Sequence, residues 1–349
     1  MSNRIKQRRI SPRSRFMPST GRWAHTYAAL DLGTHNCRLL VARPTAGSFR
    51  VIDSFSRVVR LGEGVGQTGR LSEAAQLRAI KTLGACAAKM KKRGVDRFRA
   101  IATQACRLAT NQQQFLDRVL DETGLLLEVI DPVEEARLAI SGCVPLLNRR
   151  DDYALIFDIG GGSTQVIFLD AKAEIPSIID SLSIPYGVVT LGEKIGPGEL
   201  GQQAYDQWVM SVADAFSDFC KRNDISDRIE QGRVQMVGTS GTVTTLSGIH
   251  QALPRYNRAD VDGSRLSFEA AQAISDRLRQ MPLDERIKHP CIGRDRADLV
   301  LAGCIIFSAI CKCWPVGSLS VADRGIREGI LQDLMFEADR ESRKKYHGQ

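Results

Sequence analysis

Residues 154–168 read Ala154-Leu155-Ile156-Phe157-Asp158-Ile159-Gly160-Gly161-Gly162-Ser163-Thr164-Gln165-Val166-Ile167-Phe168. An apolar strand ends in Asp158, three glycines and a hydroxyl pair follow, and a second apolar strand leaves at once. Glycines let backbone N–H groups turn toward an anion without interference from a Cβ, and a carboxylate beside them can hold a hydrated cation. A weaker copy lies upstream, where Tyr27-Ala28-Ala29-Leu30-Asp31-Leu32-Gly33-Thr34 precedes a strand from Arg38 to Ala42. Each aspartate stands at the tip of a strand–turn–strand. The pair reads as two facing phosphate loops of a duplicated fold, and implies phosphate handled with a metal ion.

The 349 residues suffice for two domains with proper cores, and the 43% hydrophobic and 25% charged content is that of a globular protein. No apolar run approaches the roughly 20 residues of a membrane span, and the basic N-terminus lacks the apolar core of a secretory signal. Nine cysteines are scattered without a CxxC pair, and the five histidines show no ligand spacing, which argues against zinc. Reduced thiols point to a cytoplasmic protein. Residues 1–24 hold seven basic side chains and no acid, so setting them aside leaves 41 basic residues against 40 acidic. The stretch reads as a disordered basic tail on a nearly neutral body, with no specific nucleic-acid partner expected.

Strands and helices alternate along the rest of the chain, an α/β pattern. Three short strands run from Tyr27 to Ser54, and glycine-rich 61–69 lacks the Lys-Ser/Thr ending of a P-loop. Ser72 caps a helix to about Lys92. A strand at 99–103 leads into one helix over 104–123, then a strand at 125–130. Asp131-Pro132 starts a helix carrying Glu134, Glu135 and Arg137. Further helices are expected at 190–195, 202–221, 267–279, 296–313 and 324–344, with strands at 235–237 and 317–321. Gly238-Thr239-Ser240-Gly241-Thr242 is a third glycine–hydroxyl loop at a helix N-terminus, again suited to an anion. The boundary between domains is expected at 133/134, giving domains 25–133 and 134–329. The C-terminal helix, about 330–349, is expected to pack back on the first domain.

Phosphoryl transfer needs positioning, charge neutralisation and a base for the attacking group. Asp31 and Asp158 are the candidate ligands for Mg²⁺, a hard cation that takes oxygen. Gly33, Thr34, Gly160, Gly161, Gly162 and Ser163, with Gly238, Ser240 and Gly241 of the third loop, are candidates for cradling phosphate. Arg38 and Arg107 are candidate anion clamps. Glu135 is the candidate general base. An isolated Glu-Glu pair opening a helix serves the helix dipole, and only its setting between two phosphate loops favours the chemical role.

With these blocks in order, the chain resembles the exopolyphosphatase/guanosine pentaphosphate phosphohydrolase family of the actin-like, ribonuclease H-like superfold. The resemblance runs over about 27–335 and includes Ala-Leu-Asp-Leu-Gly-Thr at 29–34, Arg-Leu-Gly-Glu-Gly at 60–64 and Ala-Thr-Gln-Ala-Cys-Arg at 102–107. It continues through Glu-Glu-Ala-Arg-Leu at 134–138, Phe-Asp-Ile-Gly-Gly-Gly-Ser-Thr at 157–164, Arg-Ala-Asp at 296–298 and Asp-Arg-Gly-Ile-Arg-Glu-Gly at 323–329. It implies two actin-like domains with a cleft between them and Mg²⁺-dependent release of terminal phosphate from polyphosphate or pppGpp. Glu135 would activate the water, and Arg38 and, across the cleft, Arg296 would contact phosphate or nucleotide. It further implies a homodimer, and the short, two-domain form of the family.

The chain departs from the family pattern at three places. Gln165 stands where Glu is usual, which removes a negative charge near the metal. Thr34-His35-Asn36 replaces the commoner Ser-Asn-Ser, and Asp131-Pro132-Val133 replaces Ser-Gly-x. A regulator that binds polyphosphate or alarmone without hydrolysis is the alternative that Gln165 raises. A small-molecule kinase on the same superfold is the third, disfavoured by the setting of Glu135.

Overall fold

A computed structural model of the chain describes residues 20–173, 176–196 and 200–347. Eleven strands among these residues form two sheets. The first contains β1 (Tyr27–Leu32), β2 (Asn36–Pro44), β3 (Phe49–Val58), β4 (Arg97–Ala102) and β5 (Glu128–Val129), in the order β3-β2-β1-β4-β5. The second contains β6 (Tyr153–Ile159), β7 (Thr164–Asp170), β8 (Ser177–Ile184), β9 (Val234–Thr239), β10 (Arg265–Ser267) and β11 (Ser318–Ala322). Its order is β10-β11-β9-β6-β7-β8.

The two orders are the same motif. In each sheet three antiparallel strands are followed by parallel neighbours, β1 beside β4 and β5, β6 beside β9 and β11. The second sheet adds the antiparallel edge strand β10. The duplication extends to register. Asp31 lies opposite Arg38 across β1–β2, and Asp158 lies opposite Gln165 across β6–β7.

Strand periodicity decides which way the two aspartates face, since alternate residues share a side of a sheet. Ala28, Leu30 and Leu32 enter one core with the Glu73–Lys92 helix, while Tyr27 and Ala29 enter another with Ile330, Leu331 and Met335 of the C-terminal helix. Asp31 continues the second set. Leu155, Phe157 and Ile159 join the large core of the second sheet, and Ala154 and Ile156 pack with Ala136, Ile140 and Cys143 of the Pro132–Cys143 helix. Asp158 continues that face. The central helices Pro132–Cys143 and Ile326–His347 touch backbone to backbone, for a Cβ on Gly329 would lie 2.1 Å from the Leu138 carbonyl oxygen.

Several elements differ from the sequence expectation. The helix expected over 104–123 is two, Gln104–Leu108 and Gln112–Thr123. Asn111 occupies the break and bonds both ways to the Leu71 backbone, a tie that a continuous helix would forgo. The 202–221 helix likewise breaks into Gln202–Asp214 and Ser217–Arg222. Residues 1–19 of the basic tail lie outside the described residues, but its last residues are built in. Gly21–Ala24 forms a 3-10 turn, Arg22 pairs with Asp339 at 2.6 Å and the Tyr27 hydroxyl donates to the Arg22 carbonyl. Those contacts correct the reading of 20–24 as disordered tail. No helix among the described residues is long and apolar enough to cross a membrane.

Candidate phosphate-handling site

The C-terminal ends of the parallel strands are where loops must turn and where open α/β sheets expose a crevice. Asp31 precedes the end of β1, Thr103 and Gln104 follow β4, and Asp131 to Glu135 follow β5. Asp158 precedes the end of β6, and Ser240 follows β9. All of these except residues 131–134 converge on one cavity of about 140 Å³. Its walls include Asp31, Gly33, Thr34, Arg38, Glu135, Asp158, Gly160 to Ser163, Ser240, Gly241 and Arg296. Two residues picked out in the sequence do not line it. Gly238 lies within β9, its α-carbon against Phe157 and Leu319, where any side chain would strike the Phe157 ring. Arg107 stands behind Glu135 and acts on it directly.

The acidic pair at the helix start divides. Asp131 caps the helix, accepting from the Glu134 backbone N–H at 2.8 Å, and Pro132 fills the first turn. Glu134 turns outward to Arg137 and Arg99, at 2.7 Å each, and these guanidiniums, Arg137's foremost, hold its carboxyl down at about 2. Glu135 turns inward. Arg107 Nη1 donates to its Oε2 at 2.7 Å and to the Ile130 carbonyl at 2.8 Å, fixing the carboxylate to the end of β5. Burial raises the Glu135 pKa, Arg107 opposes that, and Asp31 adds to it.

Asp31 and Asp158 are held in the same enclosure. Burial raises both, with Arg38 opposing. Asp158, pushed also by Glu135 and Asp31, reaches about 7. Carboxylates so poised gain from a cation. Among the described residues no group of three or more His, Cys, Asp or Glu side chains stands close enough to hold a metal by itself. Two hard oxygen donors suit Mg²⁺, which keeps most of its waters and takes further oxygens from phosphate.

The loops of the two hairpins press on each other. A Cβ on Gly161 would lie 3.0 Å from the His35 backbone nitrogen and from Thr34 Cβ, so this approach requires glycine. Ser240 sits at φ 138°, unusual for a residue with a side chain, while its Oγ accepts from the Val243 N–H and caps the Gly241–His250 helix. Backbone strain of this kind concentrates at functional sites.

Gln165 is buried on the cavity wall, and its Nε2 donates to the Pro132 carbonyl at 3.3 Å. Sequence reasoning overlooked Gln104, whose buried Oε1 has no partner and faces the Gly162 loop. The signal was available: Gln104 opens a helix right after a parallel strand. His35 lines the cavity with both ring nitrogens unpartnered. Burial and the charges of Arg60 and Arg296 lower its pKa to about 4, so it is uncharged at neutral pH.

Comparison with known proteins agrees with this arrangement. The sequence description of the Ppx/GppA phosphatase family matches residues 40–338. A guanosine-5'-triphosphate,3'-diphosphate pyrophosphatase of Aeromonas hydrophila is 29% identical over 314 residues, covering 88% of this chain and 59% of that protein. The chain thus spans little more than half the length of that relative. The crystal structure of the Aquifex aeolicus member of the Ppx/GppA family superposes with a TM-score of 0.75 at 28% identity, covering 90% of this chain and 98% of that one. An exopolyphosphatase-like protein of known structure superposes with a TM-score of 0.80, also at 28% identity, with the same coverage.

Proposed function

The chain belongs to the Ppx/GppA phosphatase family, and from that premise we propose that it is a Mg²⁺-dependent phosphohydrolase. It releases terminal phosphate from inorganic polyphosphate, from pppGpp, or from both. The observation that carries the reading is the buried Glu135, clamped by Arg107, in a cavity walled by two phosphate loops and two further carboxylates.

Arg107 occupies Oε2 of Glu135 and holds the carboxylate in one orientation while opposing the burial that would neutralise it. Glu135 takes the proton from the attacking water. Backbone N–H groups of 160–163 and the N-terminus of the Gly241–His250 helix receive the phosphoryl oxygens. Arg38 and Arg296 neutralise the charge that spreads over those oxygens in the transition state. Asp31 and Asp158 would hold the Mg²⁺, which would supply charge neutralisation to the phosphate. The neighbouring His35, uncharged, adds no cation of its own.

The test is phosphate release by the purified chain with Mg²⁺ on long polyphosphate, tripolyphosphate, pppGpp and ATP. Release from polyphosphate or pppGpp and not ATP is expected. A second reading, a regulator that binds such polyanions without hydrolysis, draws on the neutral amide of Gln165 opposite Asp158. It predicts tight binding with no release.

A further inference from the structure

The Leu283–Lys288 helix has one buried residue, and it is an arginine. Arg286 is 3% exposed and makes no ion pair among the described residues. Arginines are almost never buried so far without a charged partner. Elsewhere in the molecule that rule holds. Arg107, Arg258 and Arg324 are more exposed, and each pairs with a carboxylate, Glu135, Glu328 and Asp262 in turn.

The Arg286 guanidinium is committed to backbone instead. Its Nε donates to the Met281 carbonyl at 3.1 Å, just before the helix, and its Nη1 donates to the Ala297 carbonyl at 3.1 Å. Burial pushes its pKa down, with Cys304 and Asp298 opposing, and a guanidinium still stays charged at neutral pH. The planar fork is a rigid brace between the start of a short helix and the middle of a turn.

The braced turn matters for the side chains on either side of Ala297. Residues 294–299 form turns alone, leading into the Val300–Cys313 helix. Arg296 reaches the catalytic cavity, and Asp298 pairs at 2.9 Å with Arg60, which follows β3 of the first sheet. The Arg296 side chain itself is lightly held. Its Nη1 donates to Thr245 Oγ1 at 3.4 Å, and it makes no ion pair among the described residues. Its guanidinium lies over Gly241, 3.6 Å from where a Cβ would stand. The aim of Arg296 therefore depends on where its backbone stands, and Arg286 ties that backbone down from the core.

We propose that Arg286 is a positioning residue for phosphoryl transfer, holding the 294–299 turn so that Arg296 faces the phosphoryl group. The proposal rests on the phosphohydrolase reading and adds to it a residue that touches neither phosphate nor metal. Misplacing a transition-state contact by about an ångström costs up to about a hundredfold in rate.

A cycle of variants of the full chain separates positioning from packing. Arg286→Lys keeps the buried charge and the body of the side chain but loses the fork that spans both carbonyls. With Mg²⁺ and tripolyphosphate, its kcat/KM is expected to fall about ten- to a hundredfold. In an Arg296→Met background the same substitution should cost less than about twofold, since the group it aims is already gone. Equal losses in the two backgrounds would reduce Arg286 to packing and overturn the proposal, as would full activity in Arg286→Lys. If Arg286→Lys does not fold, Arg286→Gln takes its place under the same criteria. Should the unmodified chain release no phosphate, the phosphohydrolase reading fails separately. The dissociation constant for tripolyphosphate then replaces kcat/KM in the cycle, and the same comparison of backgrounds decides.

Discussion

The two hairpins that wall the cavity share a register but not a chemistry. In the first, Arg38 lies across from Asp31, so the loop carries its own counter-charge. In the second, Gln165 lies across from Asp158 and spends its amide on the Pro132 carbonyl. Directly opposed residues in an antiparallel pair share a face, so the difference acts on the aspartates themselves. Arg38 is the leading charge opposing the rise at Asp31, whereas at Asp158 the leading charge is the carboxylate of Glu135. The lesson is that a duplicated fold supplies two equivalent positions and leaves each free to take a different electrostatic part. Here the first hairpin brings cationic charge to the cavity, and the second is tied to the helix that bears Glu135.

The largest test of that division removes the base. Glu135→Gln should cut phosphate release by a factor of roughly 10²–10⁴ while leaving thermal unfolding and polyphosphate binding unchanged. A variant with full activity would remove Glu135 from the mechanism.

Next comes its clamp. Arg107→Met leaves a buried carboxylate without its charged donor, and release should fall roughly ten- to a hundredfold. Because Arg107 opposes the upward shift of Glu135, its loss also moves the acid limb of the kcat profile to higher pH. A drop in kcat with an unmoved limb would mean that Arg107 serves packing alone.

Gln165→Glu makes the second hairpin bear charge as the first does, with the opposite sign. An ionised carboxylate cannot donate to Pro132 and adds a negative charge beside Asp158 and Glu135. Without Mg²⁺ the variant should lose about 1–3 kcal/mol of stability, with Mg²⁺ restoring much of it through tighter binding. Equal melting curves with and without metal would show the amide to be incidental.

The smallest effect separates the neighbouring glutamates. Glu134 has a folded pKa depressed to about 2, so the stability it provides is complete above its unfolded value and is lost as pH falls through the range from there to about 2. Glu134→Gln should flatten the stability profile over that acid range and leave phosphate release at neutral pH nearly unchanged. A loss of release matching that of Glu135→Gln would break the division of the pair.

Much of this was legible in the chain, because the two strand–turn–strand stretches carry their function in local pattern. Alternation alone sends Asp31 and Asp158 to the faces that meet the central helices. Asp131-Pro132 announces the helix that presents Glu135. What local pattern misses is set by distant partners. Asn111 breaks the expected 104–123 helix because Leu71 offers it two backbone bonds. Arg107 reads as a clamp for phosphate, yet its guanidinium is bonded to Glu135, since only the fold brings Ile130 and Glu135 to it. Gly238 belongs to a glycine–hydroxyl loop in sequence, but strand β9 extends through it and turns it into the Phe157 packing layer. Arg22 closes on Asp339, at the far end of the chain, where no local signal could find it.

The central claim is that the cavity between the two hairpins splits a phosphoanhydride with water. Phosphate released from long polyphosphate in ¹⁸O-enriched water, with Mg²⁺ and no other acceptor, tests it most directly. The account predicts one solvent oxygen in each phosphate released, and its near-disappearance in Glu135→Gln. Bound polyphosphate that yields no labelled phosphate would contradict it.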